Sequence, residues 1–452
     1  METVCIADKS FQVEKKEKEN FYLFQSGEMK AAASKKHSFW NTQPIPNRFG
    51  GEESAHKLEE VEGEFPAELI DPEIVSKASK EPFPLPERLN IEWMDCSEED
   101  ERSIAEMVYE LSLRGVDQST FNFAAQPDFL LWSMQPPDMD RRFQMAFRDK
   151  SSKRVQGFFC ALPFTVSVNG RVMKSIEAKN LFVDPSLRGN HLAPLLIDEL
   201  TRRVRLYGGF EMGFYTAATT ITKPIATTRY FKRVLCYERL VQVGFKKLRK
   251  HESLIRESVR YNLPERPSKG FRSFVVDDSD EALSLLNEYS KKFKIHQIMN
   301  EREFHHWFVK KPEYVHSFVV EKEGKIVAFS SYYILSANTK SVAGKKMEIR
   351  AAFLFYSAVI GDQEDYKQII KDTLIAAKNV TIWSKLLFPS FLTLVNKNGI
   401  DLFMSLNFGD NEQVVNEFFE MKWEVSEEYL LYHIYNFKVK PIEPSAFGLN
   451  FI

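Results

Sequence analysis

Cysteine is scarce: the 452 residues hold four, Cys5, Cys96, Cys160 and Cys236, so far apart that no Cys-x-x-Cys pair forms. That excludes a short disulfide framework and leaves reduced thiols of an intracellular protein, none with a catalytic role. Long hydrophobic runs are missing too. No stretch approaches the roughly 20 apolar residues of a membrane span, and the opening METVCIADKSFQVEKKEKEN is charged where a signal peptide is apolar. A cytoplasmic protein is expected. Excess charge of either sign is absent. The 61 basic and 63 acidic residues give a formal net charge of −2, which argues against a general nucleic-acid binder and leaves room for a local basic pocket that holds a small anion. Two phosphate-binding signatures are also missing: without Gly-Lys-Ser/Thr there is no P-loop, and without Gly-x-Gly-x-x-Gly a dinucleotide fold is disfavoured.

What is present is a 44% hydrophobic chain too long for one ordinary core, so two domains or two fused halves are expected. One pattern occurs twice. Trp132 is followed eleven residues later by Phe143, which opens FQMAF, the charged turn DKSSKR and VQGFFCALPF. Trp307 is followed eleven residues later by Phe318, which opens FVV, the turn EKEGK and IVAFSSYYIL. Both blocks read as strand-turn-strand after a tryptophan-bearing helix. The first continues into a strand ending at Val183, an Arg-Gly loop and a helix; the second continues into RAAFLFYSAVI and the helix DYKQIIKDTLIAAK without such a loop. This order indicates an α/β protein with mixed sheets, its halves joined in the charged, proline-ending stretch from Lys246 to Pro267. The Lys/Glu-rich segment from Met1 to Lys36 is a flexible tail or, through Lys15 to Lys18, a ribosome- or membrane-directing element.

The stretch from Asn180 to Pro194, NLFVDPSLRGNHLAP, begins as a strand, breaks at Asp-Pro, passes Arg188-Gly189 and enters a helix. Pro194 suits a first turn, Leu192, Leu196, Leu200 and Val204 recur every four residues, and Gly208-Gly209 can stop the helix. Its polar face reads as Asp198, Arg202, Arg203 and Arg205. A helix N-terminus offers unpaired N–H groups and partial positive charge, and Arg188 adds a fork of donors, so the loop suits a pyrophosphate. Alone, the same residues also fit a plain strand-to-helix turn with a surface arginine. His305 and His306, with His296 and His316 nearby, are assigned packing or surface roles, because adjacent residues on a helix point in different directions.

The loop resembles the acetyl-CoA-dependent acyltransferase pattern Arg-x-x-Gly-x-Gly/Ala, with His191 at its central glycine. Further segments follow in order: His37-Ser-Phe-Trp-Asn-Thr-Gln-Pro-Ile-Pro46, Phe129-Leu-Leu-Trp132, Leu187 to Pro194, Leu200-Thr-Arg-Arg-Val204, Tyr215-Thr-Ala-Ala218 with Lys223-Pro224, Arg229-Tyr230, and Leu430 to Phe437. On these the chain, over about residues 36 to 452, resembles a divergent member of the glycylpeptide N-tetradecanoyltransferase, or N-myristoyltransferase, family. The resemblance implies two fused acetyltransferase-like (GNAT) halves that form a saddle-shaped sheet with pseudo-two-fold symmetry. Residues 1–36 would be the tail, 37–248 the myristoyl-CoA-binding half, and 249–452 the half with the peptide groove and catalytic C-terminus. It further implies a monomer that transfers myristate from myristoyl-CoA, an acyl-donor co-substrate, to the N-terminal glycine of protein substrates without a metal.

By that resemblance His37, Ser38, Phe39, Trp40, Phe182 and Val183 hold the coenzyme and its thioester end, while Arg188, Gly189, Asn190, His191, Leu192 and Ala193 wrap its phosphates. The family usually reads Arg-Ser-Lys-Arg at 188–191, so two cations are missing, and each charged hydrogen bond lost costs about 1.5–3 kcal/mol. Asn180 and Leu181 align with a Phe-Leu pair whose main-chain N–H groups form the oxyanion hole, where one donor is worth about 3 kcal/mol. The apolar ending Phe447-Gly-Leu-Asn-Phe-Ile452 argues for a buried terminus where most chains fray, and the resemblance makes the Ile452 main-chain carboxylate the general base. Thr216 would hold the glycine amine, and Asp117, Phe121, Phe123, Lys179, Tyr230, Phe231 and Lys232 would line the peptide groove. Departures from the family cluster here. The acidic loop is reduced to Asp117 with Gln118, Ser119 and Thr120, Lys179 replaces an asparagine, Lys232 a histidine and Leu354 a serine, which implies a weaker preference for basic substrates. The substitutions at Lys179, His191 and Lys232 also support an alternative: a catalytically weak or inactive acyl-CoA- or peptide-binding protein of the same fold. A transferase of different acyl chain length is a third reading.

Overall fold

The structure, a computed structural model, describes residues 39–46, 68–115, 123, 125–219, 221–309, 311, 313–342, 344–380, 399–415 and 421–452. The tail, His37, Ser38, Asp117 and Phe121 lie outside the described residues. In chain order the elements are β1 (Glu68–Leu69), β2 (Ile91–Asp95), α1 (Glu101–Arg114), α2 (Pro127–Ser133), β3 (Gln144–Asp149), β4 (Val155–Val168), β5 (Arg171–Val183), α3 (Leu192–Gly208), β6 (Gly213–Ala217) and β7 (Ala226–Val234). There follow α4 (Tyr237–Gln242), α5 (Leu254–Arg260), β8 (Phe271–Ser273), α6 (Ser279–Ser290), β9 (Ile295–Ile298), α7 (Glu301–Phe308), β10 (Val315–Lys322), β11 (Lys325–Lys340), β12 (Lys346–Val359) and α8 (Gln363–Asn379). The chain closes with β13 (Leu402–Leu406), α9 (Asn411–Val415), β14 (Trp423–Tyr435), β15 (Phe437–Lys438) and β16 (Phe447–Gly448).

Local chemistry sets the long hairpins. Asn169 and Gly170 have φ of 49° and 82°, and Glu323 and Gly324 have φ of 53° and 73°. Two successive positive φ values match the strand twist, so these pairs close β4 onto β5 and β10 onto β11. The repeated unit is visible in the connections. In one copy β3, β4 and β5 are antiparallel neighbours, α3 crosses over, and β6 runs parallel to β5 with Ala178 opposite Tyr215. In the other, β10, β11 and β12 are antiparallel, α8 crosses, and β13 runs parallel to β12 with Phe353 opposite Met404.

The copies then exchange strands. The order through the centre of the 14-stranded sheet is β4-β5-β6-β14-β7-β13-β12-β11, so β7 pairs with β13 of the second copy and β14 with β6 of the first. The tryptophan helices also meet: Trp132 and Trp307 pack edge-on with ring centroids 5.3 Å apart. Trp132 Nε1 donates to the His306 carbonyl at 2.8 Å, and His306 Nε2 lies 3.0 Å from the Trp132 carbonyl. His306 is thus a packing residue whose burial depresses its pKa to about 4, against the backbone bond to Trp132 that raises it. Among the described residues, no helix is long and apolar enough to cross a membrane.

The helix after the Arg-Gly loop spans Leu192–Gly208 and ends on Gly209 at φ 64°, as its spacing predicts. Its polar face needs correction. Arg202 is buried, paired through Nη2 with Oε1 of fully buried Glu199 at 2.6 Å and bonded to the carbonyls of Ser79 and Lys80. Residues 79–83 cover this flank of α3, and Phe83 N–H also donates to Glu199 at 3.1 Å. A distant segment therefore turns an exposed helix face into an interior one.

Candidate functional site

β5 breaks register where the sequence places its bend. Phe158 of β4 pairs with Phe182 and Cys160 with Lys179, so Asn180 and Leu181 together stand opposite Phe159 without in-register partners. Asn180 adopts φ 60°. Two residues against one, the first left-handed, is a β-bulge, and asparagine tolerates that conformation better than most residues with a Cβ. The pairing of β5 with β6 has already ended at Ala178, so on that side the bulge has no strand neighbour and borders open space.

That space is a cavity of about 570 Å³ beneath α3. Its apolar part is lined by Phe159, Ile176, Ile197, Leu200, Val204 and Phe214, and its other walls include Trp40, Phe123, Lys179, Asn180, Leu181, Thr216, Tyr230 and Ile452. Many of the sequence-predicted residues therefore meet in one place. Trp40 is carried there by the segment 39–46: its ring stacks on Tyr215 with centroids 5.5 Å apart. Gln43 fastens the segment, its Nε2 donating to Asp198 on α3 at 3.2 Å and its Oε1 accepting from Tyr435 on β14 at 2.8 Å. Phe39 packs edge-on to Trp40 at 5.1 Å.

The C-terminus is buried, as its apolar sequence predicts. Phe451 packs against Phe164 at 5.6 Å and Tyr432 at 5.8 Å. Asn450 Nδ2 donates to the carbonyls of Leu354 and Phe355 at 3.0 and 2.6 Å, and its N–H donates to the Tyr356 hydroxyl at 3.1 Å. These contacts deliver Ile452 to the cavity. Lys179 Nζ donates to a terminal oxygen of Ile452 and lies 3.7 Å from Glu177 Oε1. The Lys179 and Glu177 side chains are 9% and 13% exposed. Burial pushes the Glu177 carboxyl above its ordinary range, and the Lys179 charge opposes that.

Other predicted residues lie apart from the cavity wall. Phe182 and Val183 sit at the end of β5, paired with Phe158 and Gly157. In the loop, Arg188 and Gly189 are exposed, with Gly189 at φ 81°, and Asn190 Nδ2 donates to the Leu187 carbonyl at 3.0 Å. His191 is the exposed N-cap of α3 at φ 58°, with no side-chain capping bond. Leu192 is buried in the core and Ala193 half-buried, so Leu192 offers a ligand only its backbone. An Arg114–Asp184 ion pair at 2.7 Å braces the loop from α1.

Of the residues expected at a peptide groove, Phe123 and Tyr230 stand edge-on to Phe353 at 6.0 and 6.5 Å. Lys232 lies outside the cavity wall, 3.3 Å from Glu428 and 5.6 Å from the centre of the Phe245 ring. Phe231 is buried in the core with Leu235, Phe403 and Trp423; successive strand residues face opposite ways, so it cannot share Tyr230's side of β7. Glu177, Tyr356 and Asn450 were missed. The Glu-x-Lys spacing at 177–179 could have revealed the first, since residues i and i+2 of a strand share a face. Among the described residues no group of three or more His, Cys, Asp or Glu side chains gathers as a metal centre. Burial pushes the Cys96 and Cys160 thiols up to about 12, so neither offers a thiolate.

A crossover helix over a mixed sheet, an apolar cavity beneath it and ionisable groups beside a strand bulge define an α/β protein with room for an apolar ligand. Family models agree. Residues 69–228 match the N-terminal domain and residues 242–447 the C-terminal domain of myristoyl-CoA:protein N-myristoyltransferase. The chain is 30% identical over 421 residues to the glycylpeptide N-tetradecanoyltransferase of Drosophila melanogaster, covering 92% of this chain and 81% of that one. It is 29% identical over 419 residues to that of Plasmodium falciparum, covering 91% and 93%. It superposes on Saccharomyces cerevisiae N-myristoyltransferase with bound myristoyl-CoA at a TM-score of 0.76 and 25% identity, over 92% of this chain and 95% of that one. The chain belongs to the myristoyl-CoA:protein N-myristoyltransferase family.

Proposed function

We propose that the protein transfers myristate from myristoyl-CoA to the N-terminal glycine amine of protein substrates by direct attack on the thioester. The observation that supports this reading is the meeting of three things in one cavity: the Ile452 terminus, the bulged Asn180–Leu181 backbone and the apolar space under α3. The acyl chain occupies the apolar part, and the Trp40 segment and the Arg188–Ala193 loop bind the coenzyme. Thr216, Phe123 and Tyr230 hold the peptide. In this division residues 37–248 supply the acyl-donor site and 249–452 most of the peptide groove and the terminus.

The chemistry needs no enzyme nucleophile. A peptide amine of pKa about 8 reaches its neutral form at pH 7 for about 1.4 kcal/mol. Its lone pair attacks the thioester carbon, and the main-chain N–H groups at the bulge stabilise the developing oxyanion. Attack makes the nitrogen strongly acidic, the Ile452 carboxylate takes its proton, and collapse breaks the C–S bond and releases CoA thiolate. The test follows free thiol released from myristoyl-CoA with a peptide beginning in glycine and with its N-acetylated form. Release with the first alone is expected; equal release with both, or tight acyl-CoA binding with no release, overturns the reading and favours a binding protein.

A further inference from the structure

The ammonium of Lys179 sits at the terminus to which the proposed function brings the substrate amine. Its Nζ already bonds a terminal oxygen of Ile452, with Glu177 3.7 Å behind it. Lys179 leaves β5 immediately before the bulge, and Lys179, Asn180 and Leu181 all border the cavity. We propose that Lys179 is the internal counter-ion of the terminal carboxylate and selects the neutral amine, rather than the ammonium form, of the acceptor. This deepens the proposed function and rests on it.

Charge at the terminus decides which form of the amine is held. A free terminal carboxylate would attract an ammonium ion and hold it protonated, which is the form that cannot attack. With Lys179 bound to it, the carboxylate offers a lone pair to an amine N–H but no uncompensated negative charge. Of the surrounding groups, all but Glu177 leave that balance unchanged. They are Glu177 on β5, Cys160 on β4, Tyr230 on β7, Tyr333 on β11, Tyr356 on β12 and Tyr432 on β14. Burial raises Glu177 toward its neutral form, although Lys179 opposes it. It pushes Cys160 and Tyr230 up to about 12 and the other three hydroxyls higher, so all five stay uncharged near neutral pH. Lys179 is a positioning residue in the same sense: its bond holds the carboxylate beside the bulge before substrate arrives.

The experiment compares the unchanged protein with Lys179→Gln and Lys179→Arg, each loaded with an unreactive thioether analogue of myristoyl-CoA for the binding measurements and with myristoyl-CoA itself for the kinetics. Calorimetry at pH 6.5 measures binding of a glycyl peptide and of the same peptide with a hydroxyl in place of its amino group, and steady-state kinetics from pH 6.5 to 8.5 measure KM and kcat. The unchanged protein is expected to bind the hydroxyl peptide at least as tightly as the glycyl one at pH 6.5, and its KM should fall as the amine loses its proton near pH 8. Lys179→Gln should prefer the glycyl peptide about tenfold at pH 6.5, flatten the KM profile and lower kcat, while Lys179→Arg should keep the unchanged protein's preference. Turnover with the same preference and pH profile in the unchanged and Gln proteins overturns this inference and leaves the transferase reading intact. No turnover and no peptide binding by any of the three overturns the transferase reading, and this inference with it.

Discussion

Adding one glycine after Ile452 separates the chemistry of the terminus from its packing. Removing Phe451 and Ile452 would also delete a buried ring held by Phe164, Phe214 and Tyr432, and loss of a buried phenylalanine costs about 3–5 kcal/mol. The added glycine leaves that ring and the Asn450 bonds to Leu354, Phe355 and Tyr356 in place. It moves the carboxylate by up to about 3.5 Å, beyond hydrogen-bond reach of an amine positioned for the unextended chain. A general base contributes about 10²–10⁴-fold, so kcat should fall by that factor while acyl-CoA affinity holds. The extension also turns the Ile452 oxygen that Lys179 bonds into a neutral peptide carbonyl, so a bond to a charged acceptor worth about 1.5–3 kcal/mol becomes one worth about 0.5–1.5 kcal/mol. Rapid-quench single turnover gives the chemical rate, and thermal unfolding reports whether the protein is intact. Turnover within about threefold of the unextended protein would refute the assignment of the carboxylate as base.

Three further outcomes are expected. Asn180→Val forces a β-branched residue to φ 60°, which should cost about 1–2 kcal/mol in urea unfolding and lower kcat by about 10²–10³ with little change in peptide KM; Asn180→Gly should retain activity. Lauroyl-CoA, two methylenes shorter than myristoyl-CoA, should bind about 15-fold more weakly at about 0.8 kcal/mol per methylene, and Thr201→Phe, which fills the cavity wall on α3, should reverse that preference in competition assays. His433 is held down to about 4 by burial, against the Lys223 backbone contact that raises it. Its folded pKa is depressed, so its contribution to stability is complete above the ordinary value near 6.5 and is lost as pH falls toward 4. Melting temperatures should therefore decline across that window, and His433→Gln, which keeps a polar partner for Thr222 at 2.8 Å, should flatten the decline.

The sequence-legible parts of the fold are those set by neighbours along the chain. Both hairpins, the α3 helix with its Gly209 stop, and the bend at Asn180 follow from short-range pattern and turn chemistry. The exchange of β7 and β14 between copies is not local: Tyr432 meets Ala226 across more than 200 residues, and no periodicity specifies that partner. The buried Arg202 was hidden for the same reason, because its covering carbonyls come from residues 79 and 80. Trp40, Thr216, Tyr230 and the terminus, expected from the resemblance, all line the one cavity. Glu177 and Tyr356 were not singled out, since an acid or a tyrosine in a strand reads as surface or core until the facing chain is known. Phe231 went to the wrong side although strand alternation separates it from Tyr230.

The central claim is a direct transfer within one cavity, and mass spectrometry of both peptide and protein after a single turnover tests it. The account predicts myristate on the α-amine of the terminal glycine, in an amide that resists hydroxylamine, with the protein itself unacylated throughout. An acylated protein that forms and decays ahead of product, or myristoyl-CoA consumed with no acylated peptide, would contradict it.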